Sequence, residues 1–179
     1  SQNQRMSYQR RMEKGEFITC KPPYGYRIVN RKELEIVPEE AELIRWIFHA
    51  YLNGKGMDEI AADLTERRVK GPDGSETWSN ATVQYILTNE KYIGDSLCQK
   101  EYTDAFPFVE KRNRGERPQY YVENTHPAIL SRDAFQRVQR LRTVKAQRTK
   151  KTAVQSPLRG KIVCGECGTG FIHRTSKRG

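Results

Sequence analysis

The sequence predicts an α+β chain: a small helical bundle of helix-turn-helix type, an N-terminal hairpin, a small antiparallel sheet inserted after the bundle, and a basic helix or linker. Three observations predict it. Between Glu39 and Thr88, apolar residues recur at helical spacing in three separate runs. On either side of that region, short β-branched and aromatic pieces alternate with turn residues. After Leu141 the apolar pattern fades into a basic, polar run.

Residues 1–19 are polar and basic. Met6, Arg10, Met12 and Lys14 suit a helix that Gly15 would end, but no core-sized apolar face is present. The stretch reads as the tail of a helix whose body lies upstream, or as a disordered terminus. KPPYGYR, from Lys21 to Arg27, then sets a turn of fixed geometry. Tyr26, Ile28 and Val29 predict one short strand, and Leu34, Ile36 and Val37 a second, with residues 30–33 as the connection.

The first bundle helix is predicted from Glu39 to Leu52, with Pro38 at its start and Glu39, Glu40 and Glu42 in the first turn, where the helix dipole favours carboxylates. Leu43, Ile44, Ile47, Phe48 and Tyr51 share one face. The second runs from Met57 to Val69, with Ile60, Ala61 and Leu64 inward. The stretch from Lys70 to Trp78 is longer than a tight helix-turn-helix connection and predicts a small loop or wing. The third runs from Ser79 to Thr88 with Ser79 as N-cap. If Val83, Ile86 and Leu87 face inward, then Asn80, Ala81, Gln84, Tyr85 and Thr88 face outward. That outer face carries no charge but many hydrogen-bonding groups. Asn and Gln can pair bidentately with adenine, and Ala or a Thr methyl can touch the thymine methyl. A solvated face on an ordinary bundle is the alternative.

From Ile93 to Ile129 the pattern is extended, with KRNRGERPQ (residues 111–119) as an exposed loop. A fourth helix follows Ser131, with Phe135, Val138 and Leu141 inward. No apolar run approaches the ~20 residues of a membrane helix, and no signal peptide is visible, so a soluble cytoplasmic protein is expected.

Net charge is +10, which points to a polyanion. Its distribution is uneven: residues 31–90 hold 7 Lys/Arg against 12 Asp/Glu, whereas residues 131–161 hold 10 against Asp133 alone. The expectation is that the bundle reads bases while the flanks hold phosphates of double-stranded DNA. Arg67, Arg68 and Lys91 beside the helices, and Arg142, Lys145 and Arg148 in the basic segment, are the phosphate candidates. Asn80, Gln84, Tyr85 and Thr88 are the base-edge candidates. Solubilising surface charge, or a solvated tether after Leu141, is the alternative for the basic groups.

Cys20 and Cys98 are isolated, while Cys164 and Cys167 form a C-x-x-C knuckle. A structural zinc needs four ligands. Cys164 and Cys167 supply two, His173 is a candidate third, and no fourth appears before Gly179. A redox dithiol is the alternative.

Five segments carry a family resemblance in order and spacing: KPPYGYR with its hairpin, VPEEAELIRWIFHAYLNGKGMDEIAADLTERRV, WSNATVQYILTNEKYIGD, ENTHPAILSRDAFQRVQ and LRGKIVCGECGTGF. Over residues 21–141 and 157–173 the chain resembles the recombinase domain of large serine recombinases and the start of their zinc ribbon. The resemblance implies a site-specific recombinase of phage-integrase or mobile-element transposase type. Such enzymes cut through 5′-phosphoserine links, rotate subunits and rejoin. Their catalytic serine lies in an N-terminal domain that would precede Ser1, so no serine here is assigned as nucleophile and the fragment itself is expected to be non-catalytic. It also implies boundaries: 1–20 as the end of a linker helix, 21–142 as the recombinase domain, 143–157 as a basic linker and 158–179 as a truncated zinc-ribbon start. Zinc is expected in the full-length protein and not in this fragment. Family members act as dimers that pair into tetramers, and the fragment alone is expected to be monomeric. A helix-turn-helix transcription regulator that never cuts DNA is the alternative reading, and a zinc-ribbon RNA-binding protein a weaker one.

Overall fold

A computed structural model describes residues 2–14, 21–30, 33–103, 109–152 and 163–167. The chain forms two compact units, Ser1–Leu141 and Arg142–Gly179. Among the described residues the order is α1 (Gln2–Glu13), β1 (Tyr26–Val29), β2 (Glu33–Ile36), α2 (Pro38–Leu52), α3 (Met57–Glu66), α4 (Asn80–Thr88), a 3-10 turn (Glu90–Ile93), β3 (Ser96–Cys98), β4 (Glu101–Thr103), β5 (Glu110–Arg112), β6 (Tyr120–Val122) and α5 (Arg132–Thr152). Mixed helices and small antiparallel sheets match the predicted class. Gly15 lies outside the described residues.

β1 and β2 pair antiparallel with Tyr26 opposite Ile36. Pro38 starts α2, because its missing N–H is one the first turn could not have satisfied. Ala41, Ile44, Ile47, Phe48, Ala50 and Tyr51 are buried along α2. They meet Ile60, Ala61 and Leu64 of α3 and Val83, Ile86 and Leu87 of α4 in one core.

α3 ends at Glu66, three residues before the predicted end. Val69 N–H donates to Leu64 O and Arg68 N–H to Thr65 O, with Arg68 at φ +52°. This is a left-handed helix stop of the kind usually built on glycine. With arginine there instead, the apolar period runs on through Val69 and hides it. The loop that follows is pinned at its far end. Trp78 N–H donates to Thr65 Oγ1 at 2.9 Å, and its indole N–H to Val69 O at 2.8 Å. Ser79 caps α4, accepting from Thr82 N–H at 3.2 Å.

The predicted inserted sheet is two nested ladders, β3 with β6 and β4 with β5. The loop predicted over residues 111–119 contributes its first two residues to β5. Asn113 is buried and organises the rest. Its side chain donates to Gln99 O and Arg117 O and accepts from the N–H groups of Gly115 and Arg117. Ser131 caps α5 as predicted, and Val138 is fully buried. Beyond Leu141 the basic stretch continues α5 to Thr152.

Candidate nucleic-acid interface

Three core residues fix which way α4 faces. Val83, Ile86 and Leu87 have no exposure, so Ala81, Gln84, Tyr85 and Thr88 must lie on the solvent side. Tyr85 is 56% exposed, unusual for so large an apolar body. Thr88 Oγ1 donates back to Gln84 O at 2.8 Å, which commits its hydroxyl hydrogen to the helix backbone. The far end of the helix is held by Gln139 of α5, whose amide donates to Leu87 O at 2.7 Å.

Asn80 sits differently. It is half-buried, and its amide donates to Asp58 at 2.8 Å, stitching the first turn of α4 to that of α3. The structure therefore groups Gln84, Tyr85 and Thr88 on one face and gives Asn80 an exposed partner on α3. Sequence spacing could not find that bond, because Asp58 is 22 residues away.

Arg67 and Arg68 are both exposed at the end of α3. The Arg67 guanidinium lies 4.8 Å from the Trp46 ring centre, which steadies the side chain and leaves its edge toward solvent. Lys91 is half-buried, and burial pulls its ammonium pKa below the ordinary lysine value, partly offset by Glu90. Its backbone carbonyl is enclosed: Lys91 O lies 3.1 Å from the Tyr26 hydroxyl oxygen and 2.6 Å from His126 Nε2. Arg142 and Lys145 lie on α5 within the second unit, both half-buried. The side chain of Arg148 lies outside the described residues.

Cys164 and Cys167 lie in a short turn, the second more exposed than the first. Among the described residues no group of three or more His, Cys, Asp or Glu could hold a metal ion. The thiol pair could supply two zinc ligands. His173 lies outside the described residues.

One organising group was not read from the sequence. Asp95 is fully buried and takes a bidentate ion pair from Arg132 at 2.6 and 2.7 Å, a hydrogen bond from the Tyr121 hydroxyl, and Asn124 N–H at 3.0 Å. It locks the β3–β6 ladder onto the start of α5. The available signal was an acid directly after Gly94, whose φ of +85° turns the chain there.

Comparison with known proteins bears on this arrangement. A family model described as Recombinase matches residues 38–145. A protein of Bacillus subtilis (strain 168) named "Putative DNA recombinase" is 33% identical over 185 residues, covering 93% of this chain and 36% of that protein. The chain thus spans about a third of that curated relative's length. Among solved structures, a chain from the crystal structure of an LSR–DNA complex superposes with a TM-score of 0.58 at 23% identity, covering 99% of this chain and 50% of that one. A chain from a structural study of the Listeria innocua prophage attP site gives the same score and identity and is covered to 68%. These two likenesses are of fold.

Proposed function

The chain belongs to the Recombinase family, and we propose that it is the DNA-binding part of a serine site-specific recombinase that integrates, excises or transposes a mobile element. No serine of this chain is assigned the strand-cleaving role. On this reading α2, α3 and α4 act as a unit of helix-turn-helix type, with α4 entering the major groove of attachment-site duplex DNA.

One observation carries the reading. The core fixes α4 so that an uncharged face of Gln84, Tyr85 and Thr88 projects to solvent, and the helix itself contains no charged residue. Such a face contributes little to nonspecific attraction, so its value lies in hydrogen-bond and methyl readout of base edges. Phosphate affinity comes from Arg67 and Arg68 beside the helices and from Arg142, Lys145 and Arg148 of the basic segment. In the whole protein, Cys164 and Cys167 would contribute to a zinc site whose role is to hold a knuckle together. Dimers pairing into tetramers on DNA would require contacts beyond this chain, which is by itself a monomer.

The test is Gln84→Ala. Affinity for the matched site is expected to fall by about 1–3 kcal/mol, with nonspecific affinity almost unchanged. Equal losses on matched and scrambled duplexes would remove the base-reading role.

A further inference from the structure

Beside α4 lies a cleft of about 600 Å³ that the reading above leaves unused. Lys21, Pro22, Pro23, Tyr24 and Tyr26 form one wall, and Tyr85 and Lys91 form the other. Glu40 and Pro72 complete it.

The first wall is rigidly built. The Tyr24 hydroxyl donates to Lys70 O at 2.9 Å, and its ring meets Trp78 edge-on at 6.0 Å. The Tyr26 hydroxyl donates to Pro127 O at 2.8 Å, and its ring stacks on Tyr92. Gly25, at φ +93°, passes so close to α2 that an added Cβ would lie 2.3 Å from Ile44 Cδ1. Two prolines ahead of it fix φ without any ordering cost on binding. The wall is thus preorganised before any partner arrives.

The polar inventory of the cleft is one-sided. The Tyr24 and Tyr26 hydroxyls donate inward to backbone carbonyls. Glu40, the one carboxylate, accepts Gly25 N–H at 2.6 Å. The other polar groups lining the walls are donors: the ammonium groups of Lys21 and Lys91 and the phenol of Tyr85. Two ammonium groups against the one carboxylate of Glu40, with a phenol able to donate, leave the cleft net positive and suit a partner that accepts hydrogen bonds and carries negative charge. Tyr85 belongs both to this cleft and to the outer face of α4, so the cleft adjoins the face proposed to meet the duplex.

We infer that this cleft seats a backbone phosphodiester of the bound duplex between Lys21 and Lys91, making the KPPYGYR turn part of the DNA interface. The inference rests on α4 being the helix that meets the duplex. It also gives Tyr85 a second role, as the wall separating base readout from backbone anchoring.

The test uses the full chain with matched and scrambled duplexes across a salt series. Lys21→Ala and Lys91→Met together are expected to lower the magnitude of the log Kd against log salt slope by about 0.9, with each variant alone giving part of that loss. The loss should be the same on both duplexes, whereas Gln84→Ala changes preference and leaves the slope. Because Lys91 is half-buried, a second readout needs no variant: the pH titration of its side-chain NMR signal should move upward when duplex binds, since the phosphate favours the charged ammonium. Unchanged slopes in both variants together with an unmoved Lys91 titration overturn the inference. If Gln84→Ala abolishes site preference while the lysine slopes stay at the wild-type value, the cleft assignment fails and the α4 reading stands. Lower lysine slopes with no site preference in the wild type support the cleft and remove the base-reading role.

Discussion

Two ionisable residues, Asp95 fully buried and His126 half-buried, tie the inserted strands to the bundle. For Asp95, burial pushes the carboxyl pKa up, but hydrogen bonds from Tyr121, Arg132 and Asn124 outweigh it and hold it below the usual carboxylate range. For His126, burial keeps the imidazole pKa below its ordinary 6.5, against the pull of the Lys91 carbonyl. Only an acceptor faces Nε2, so the neutral ring carries its proton there and donates to Lys91 O. Both groups are harder to protonate in the folded chain than in the unfolded one. Their stability is therefore fully present above the unfolded pKa values and is lost as pH falls through the folded ones. Melting temperature should be level at neutral pH, decline below about pH 6.5 as the unfolded histidine begins to take up its proton, and decline again in the acid range as Asp95 protonates. In His126→Gln the first decline should vanish and the second persist. A wild-type melting temperature that stays constant down to the carboxylate range would contradict this assignment. The same residue-scale view separates Asn80 from Gln84. Both looked alike as outward amides, yet Asn80 spends its amide on Asp58 and only Gln84 stays on the open face.

At the scale of elements, period and caps made much of the fold legible. Pro38, Ser79 and Ser131 mark three helix starts, and the inward faces of α2 and α4 follow from spacing alone. The end of α3 was not legible, because an arginine adopts the left-handed stop that glycine normally advertises. The nested pairing of β3 to β6 was also hidden: strands of three residues have too little alternation to fix a partner. In the site, the outward face of α4 was legible, whereas the cleft was not, because it joins Lys21 to Lys91 across 70 positions of sequence. Asn113 shows how much one side chain can organise in a region of weak strands. Asn113→Ala should leave two carbonyls and two N–H groups of the loop without their partner, costing about 1–3 kcal/mol locally. Amide exchange should quicken at Gly115 and Arg117 and across β4–β5, while α2, α3 and α4 keep their protection. Wild-type exchange at Gly115 and Arg117 in the variant would show that the loop is held by other contacts.

At the scale of the whole molecule, charge and chemistry are divided. The stretch holding α2, α3 and α4 has an excess of acids, and the positive charge gathers in the segments that flank it. On the proposed function, an acidic scaffold presenting an uncharged face gains nothing from general attraction to a polyanion, so affinity would come mainly from the basic flanks and discrimination from α4. Membership of the Recombinase family supplies the biological setting for that division of labour. The measurement that tests it most directly is binding of the chain to a duplex from the ends of the mobile element that the proposed function assigns to it, against a scrambled duplex, across a salt series. Preference for the matched duplex that survives moderate salt, and that Gln84→Ala weakens, is the expected result. Equal binding to both duplexes that disappears as salt rises would contradict it: the basic flanks would then supply affinity alone, and the outer face of α4 would read nothing.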